Sequence, residues 1–153
     1  MSAPKGLEIR RAEPRDLDIL APLFDAYRQF YGQERDLPRA HAFLAERFRR
    51  GQSTVFLASD HARAVGFVQL YPSFSSTRTA PILILNDLYV APDARRTGTA
   101  RALLAAAEAH AKAEGAAGLI LSTGVENRPA RALYEAMGWK RETRFYEYGL
   151  SLA

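Results

Sequence analysis

The stretch PILILNDLYV, Pro81 to Val90, most restricts how this chain can fold, because its apolar residues run almost without a break. A strand with one face in water alternates apolar and polar side chains, whereas a strand covered on both faces reads as a near-continuous apolar run. Residues 81–90 are therefore predicted to form a central strand in a layered fold. Two polar residues, Asn86 and Asp87, interrupt the run.

The flanking segments supply the layers. LEIRRA (Leu7 to Ala12) alternates as a half-buried strand does, and the following segment places Leu17, Leu20, Phe24, Tyr27 and Tyr31 at helical spacing. A second helix fits LPRAHAFLAERFRRG, with Pro38 near its start, Phe43, Leu44 and Phe48 on one side, and Gly51 closing it. STVFLAS and ARAVGFVQLYPSF read as strands joined by a turn around Asp60 and His61. After APDARRTG a helix runs to about Glu114, carrying a narrow stripe of Ala100, Leu103, Leu104, Ala107 and Ala111 and ended by Gly115. GLILST (Gly118 to Thr123) is a short buried strand. NRPARALYEAMG is a short helix with Asn127 as its N-cap, and WKRETRFYEYGLSL is a closing hairpin. The expected fold is α/β (α+β), in the order βααβββαβαββ. It has four helices, a mixed, mostly antiparallel sheet of about seven strands, and a single domain over residues 1–153.

Composition removes several function classes. The 153 residues contain no cysteine, which excludes disulfides, thiolate metal sites and a cysteine nucleophile. His41, His61 and His110 match no metal-ligand spacing, so no metal is expected. No apolar run approaches the roughly 18 residues that span a bilayer, and MSAPKGLEIRRAEPRD lacks the apolar block of a secretory signal. A soluble, cytoplasmic protein with no membrane partner is expected. The net charge of +4 modestly favours anionic ligands, but the arginines are scattered and no nucleic-acid partner is expected.

Against that background DARRTGTARALL, Asp93 to Leu104, stands out. A glycine-containing loop entering a helix offers unpaired N–H groups and the positive end of the helix dipole, a suitable seat for phosphate. It is neither GxxxxGK[ST] nor GxGxxG, since Gly98 is the only glycine between Gly66 and Gly115. LNDLYVAPDARRTGTARALL followed by LSTGVENRPARALYEAMGW resembles the GCN5-related N-acetyltransferase (GNAT) family. Arg95, Arg96, Thr97, Gly98, Thr99 and Ala100 meet its [RQ]xxGx[GA] loop, with Ala100 in place of the second glycine. Asn127 and Tyr134, seven residues apart, meet its second signature. The resemblance is specific from about Leu83 to Trp139 and elsewhere follows element order.

The resemblance implies acetyl-CoA as cosubstrate, with its pyrophosphate on the backbone amides of Arg96 through Arg101. The pantetheine arm would lie between the strand ending at Val90 and strand 118–123, held by exposed backbone. A backbone N–H among Leu88, Tyr89 and Val90 would face the thioester oxygen. Asn127, Ala130 and Tyr134 would complete the cofactor site. Tyr134 is either a proton donor to the leaving thiolate or a core tyrosine, and Asn127 a cap, a cofactor contact or both.

An amine of pKa about 10.4 must lose a proton before it attacks. Asp87 is the candidate base, through water, against a structural hydrogen bond or ion pair. Strand alternation sets Asp87 and Tyr89 opposite Asn86, Leu88 and Val90, and does not say which face meets the substrate. Tyr31, Glu34, Ser73, Ser76 and Asn86 are the substrate-pocket candidates, with Tyr146 or Tyr148 from the last segment; Tyr27 and Phe30 read as core. The implied activity is direct acetyl transfer to a primary amine of a small molecule or peptide, without a covalent acyl-enzyme. The alternative is a non-catalytic acyl-CoA-binding or regulatory domain. The family also allows a homodimer.

Overall fold

In a computed structural model, which describes residues 5–153, the chain runs β1 (Leu7–Arg11), α1 (Leu17–Phe30), α2 (Leu37–Arg49), β2 (Thr54–Asp60), β3 (Arg63–Ser75), β4 (Ala80–Val90), α3 (Thr99–Ala113), β5 (Leu119–Ile120) and α4 (Arg128–Ala136). Residues 1–4, part of the amino-terminal stretch read above for a signal, lie outside the described residues. The strands form one sheet in the order β1-β2-β3-β4-β5. Neighbours are antiparallel except β4 and β5, which are parallel.

The run Pro81 to Val90 does lie inside the sheet, between β3 and β5. Alternation along the strands then sorts side chains into two layers. Val55, Leu57 and Phe67 join Leu20, Ala21 and Phe24 of α1 and Ala40 and Leu44 of α2 in one buried cluster. The rings of Phe24 and Phe67 meet edge to face at 6.2 Å. Residues of opposite phase face α3: the ring of Phe56 lies 5.6 Å from that of His110, and Leu103, Leu104, Ala107 and Ala111 are buried along the helix. The small residues of that stripe let α3 sit close to the sheet.

Two departures from the expected fold matter. The sheet has five strands among the described residues, not about seven, and the order is βααβββαβα. WKRETRFYEYGLSL forms no hairpin: the hydrogen bonds of this stretch are local, Arg144 N–H to Glu142 Oε1 at 2.6 Å and Ser151 Oγ to the Ala153 carbonyl at 3.2 Å. Alternating aromatic and polar residues supply strand propensity, but a strand exists only where a partner accepts its ladder bonds. The second departure is β5, reduced from six residues to Leu119 and Ile120.

The chain divides into two compact units, one up to Leu121 and one over Ser122–Ala153. The first holds the sheet and α1 to α3. The second is built on α4, whose first turn is capped by the Asn127 side chain accepting from the Ala130 N–H at 3.3 Å. In this unit the Tyr134 and Trp139 rings lie 6.1 Å apart, and the Trp139 N–H donates to the Tyr134 carbonyl at 3.0 Å.

Candidate active site

The loop between β4 and α3 is shaped by its own backbone. Gly98, at φ 88° and ψ 1°, is the N-cap of α3 and has no side chain with which to cap it. Arg96 also takes a positive φ of 61°, so two of three consecutive residues turn through the left-handed region. Two polar side chains of the loop, those of Thr97 and Arg95, are engaged elsewhere. Thr97 Oγ1 donates to the Ala94 carbonyl at 2.6 Å and lies 2.9 Å from the hydroxyl of buried Thr99. Arg95 Nε donates to the Val90 carbonyl at 2.8 Å. The helix head, from Thr99 through Ala100 to Arg101, therefore keeps first-turn amides without a capping side chain, the arrangement that suits an anion.

The edge of β4 leads to this loop. Its parallel pairing with β5 consists of Leu83 with Leu119 and Ile84 with Ile120. Beyond Ile84, residues 85–90 extend for about 20 Å without β5 as a neighbour. Leu88, Tyr89 and Val90 lie on this edge, and the loop follows directly.

Asp87 lies at an irregularity in the hairpin. Gln69 pairs with Asp87 but Leu70 pairs with Leu85, so Asn86 is an extra residue in β4. Burial nevertheless alternates here: Leu85 and Asp87 are buried and Asn86 between them is exposed, so Asp87 lies opposite Asn86 as strand geometry expects. The Asp87 carboxylate is 2% exposed and accepts from Gln69 Nε2 and, at 2.9 Å, from Asn86 Nδ2. Burial pushes its carboxyl above the usual carboxylate range, and these donors with Tyr27 partly offset the rise. The hydroxyl of Tyr27 on α1 donates to the Asn86 carbonyl at 3.1 Å. Burial and the Asp87 charge raise the phenols of Tyr27 and Tyr71, keeping both protonated.

Comparison with known proteins identifies the family. The Acetyltransferase (GNAT) family pattern matches residues 20–139. The chain belongs to the GNAT acetyltransferase family. An uncharacterised N-acetyltransferase of Bacillus subtilis, YhfO, is 44% identical over 146 residues, covering 95% of this chain and 98% of that protein. An aminoglycoside N(6')-acetyltransferase type 1 of Acinetobacter genomosp. 13 is 32% identical over 114 residues, 71% of this chain and 78% of that protein. The crystal structure of a probable acetyltransferase superposes with a TM-score of 0.89 at 40% identity, covering 95% of this chain and 98% of that one.

In this GNAT chain Asn86 lies beside Asp87 on β4, and four other substrate candidates fall at two further places. Tyr31 caps the end of α1 and is 53% exposed, and Glu34 follows in the exposed connection to α2. That connection is tied down by buried Asp25, which accepts from the Asp36 N–H at 3.1 Å and pairs with Arg28 at 2.7 Å. Arg28 also donates to the Glu34 carbonyl at 3.2 Å. Ser73 and Ser76 lie at the far end of the β3–β4 hairpin. Ser73 pairs with Ile82, five residues and about 16 Å along the strand from Asp87.

Phe30 is not core: it is 58% exposed. Asn127, Ala130 and Tyr134 lie together on α4 in the second unit. Sequence reasoning missed Gln69, buried against Asp87, because a glutamine in an apolar strand carries no motif; its one visible signal was polarity inside FVQLY. Among the described residues, no group of three or more His, Asp or Glu could hold a metal, and no helix is long and apolar enough to cross a membrane.

Proposed function

We propose that this chain is an acetyl-CoA-dependent N-acetyltransferase that moves an acetyl group directly to a primary amine of a small molecule. One observation carries the reading: a loop with left-handed Arg96 and Gly98 opens an uncapped helix at the end of a strand whose outer edge loses its partner after Ile84. These residues fit CoA. The amides of Arg96 to Arg101 would hold its diphosphate, and the backbone of Leu88 to Val90 its thioester end. Bound there, acetyl-CoA supplies an activated acyl carbon.

Transfer forms one C–N bond and breaks one C–S bond, so the amine loses a proton and the sulfur gains one. Asp87 takes the first proton through water; its raised pKa makes it a stronger base than a surface aspartate. Tyr134 gives the second, a role supported by its spacing from Asn127. No cysteine is available to carry the acetyl group, which favours direct attack. The likeness to an aminoglycoside acetyltransferase supports a small, polyamine-like acceptor over a peptide.

Release of free CoA, followed with a thiol reagent across aminoglycosides, polyamines, amino acids and peptides, tests the reading without background from the protein. Release is expected with a small amine, and Tyr134→Phe should lower turnover about 100-fold while acetyl-CoA affinity holds. Tight CoA binding with no release from any amine would favour the regulatory alternative.

A further inference from the structure

Arg95 opens the family loop signature, yet its side chain does not point along the loop. Nε donates to the carbonyl of Val90, the last residue of β4, at 2.8 Å. The guanidinium carbon lies 5.6 Å from the centre of the Tyr89 ring and 5.8 Å from that of Phe30. Both lie within the range at which a cation is attracted to an aromatic face. Phe30 is the last residue of α1, so the contact joins the cofactor loop to the wall from which the substrate segment leaves.

The contacts continue from there. The rings of Phe30 and Tyr31 are 5.2 Å apart and those of Tyr31 and Tyr27 are 5.0 Å apart. The Tyr27 hydroxyl returns to the Asn86 carbonyl at 3.1 Å, one residue from Asp87. The connection 31–36 is already fixed at its far root by Asp25 on the Asp36 N–H and by Arg28 on the Glu34 carbonyl. At its near root Tyr31 and Phe30 are exposed, and the ring contacts with Arg95 and Tyr27 hold them.

We propose that Arg95 is a positioning residue that couples the acyl-donor loop to the acceptor wall, so that occupation of the loop orders residues 30–34. The proposal rests on the reading of the loop as a CoA site. A ligand held by the amides after Arg96 fixes the backbone one residue from Arg95, and the guanidinium passes that restraint to Phe30 and Tyr31. An amine arriving at a wall already ordered loses less conformational freedom, and linkage requires the amine to tighten CoA by the same factor.

Amide hydrogen exchange over residues 27–36, measured with and without CoA, reads the coupling without turnover. CoA is expected to slow exchange at residues 30–34 about fivefold or more in the parent and to leave it unchanged in Arg95→Gln and in Phe30→Leu. CoA affinity by calorimetry should stay within about threefold in both variants, and Arg95→Lys should restore part of the protection. With an accepted amine, Arg95→Gln should raise its KM about 5- to 50-fold while kcat stays within about twofold.

Equal protection in parent and Arg95→Gln overturns the coupling. So does loss of CoA affinity beyond about tenfold in Arg95→Gln, which would make the side chain a cofactor ligand. A parent that binds CoA without protecting residues 30–34 overturns the coupling alone. A parent that binds no CoA overturns the CoA-site reading as well.

Discussion

Two buried aspartates show how environment sets the behaviour of one side chain. Asp16 accepts a bidentate pair from Arg10 at 2.7 and 2.8 Å and the Glu13 N–H at 2.8 Å, and these bonds hold its carboxyl at about 2. Because its pKa is lower folded than unfolded, ionised Asp16 stabilises the fold above the ordinary carboxylate range. That contribution is lost as pH falls from about 4 towards 2. Arg10→Gln should therefore cost on the order of 2 kcal/mol at pH 7 and little at pH 2, read as the difference in urea midpoint from the parent at each pH. Asp87 is shifted the other way, by burial, and as a base it must be ionised to work. Activity should rise with pH through a value above the usual carboxylate range. Asp87→Asn should lower kcat about 100- to 1000-fold and remove the acid limb of the kcat profile. A variant that loses stability but keeps the acid limb would make Asp87 a structural acceptor for Gln69 and Asn86. The identity of Asp87 was legible in the sequence, and so was its place opposite Asn86; its burial against Gln69 was not, because alternation orders side chains along a strand without saying which face its neighbours cover.

At the scale of elements, local chemistry carried most of the reading. The two amino-terminal helices and α3 announce themselves by periodicity, β4 by its nearly unbroken apolar run, and Asn127 caps α4 as its residue type suggests. The β2–β3 turn was legible in place but not in conformation. His61 and Ala62 take positive φ of 48° and 70°, which Asn-Gly would adopt with less strain than these residues do. Left-handed backbone costs an L-residue about 1–2 kcal/mol, of which glycine's greater freedom in the unfolded chain offsets about half. Ala62→Gly should therefore stabilise the protein by about 1 kcal/mol and raise Tm about 2–4 °C by calorimetry, with kinetics unchanged. What failed to show in sequence depends on partners. GLILST looks like a full buried strand, yet only Leu119 and Ile120 pair with β4, and RFYEYGLSL alternates without acquiring a ladder. Propensity belongs to a segment, whereas pairing belongs to its neighbours.

For the molecule as a whole, a cofactor site is a statement about stability. A ligand that binds only the folded state raises its stability by about 2.7 kcal/mol at 100 times Kd. For a chain of 153 residues this is about 5–10 °C in Tm, so CoA at that excess should shift the melting temperature by that amount. The shift should depend on the head of α3. Gly98→Val places a β-branched side chain at φ 88°, where it strains the loop and occupies the approach to the first-turn amides. Lower stability of that variant alone would not distinguish strain from lost binding. Gly51 provides the comparison: it follows α2, has φ 62°, and a Cβ built on it meets no atom within 4 Å. Gly51→Val should lower the Tm of the free protein about as much as Gly98→Val but keep the full CoA shift, whereas Gly98→Val should lose it. If both variants keep the shift, CoA is held somewhere other than the loop. If both lose it, the effect is global and the loop has no special part in it. Only loss at Gly98 with retention at Gly51 assigns the ligand to the backbone that the sequence marked with a single glycine.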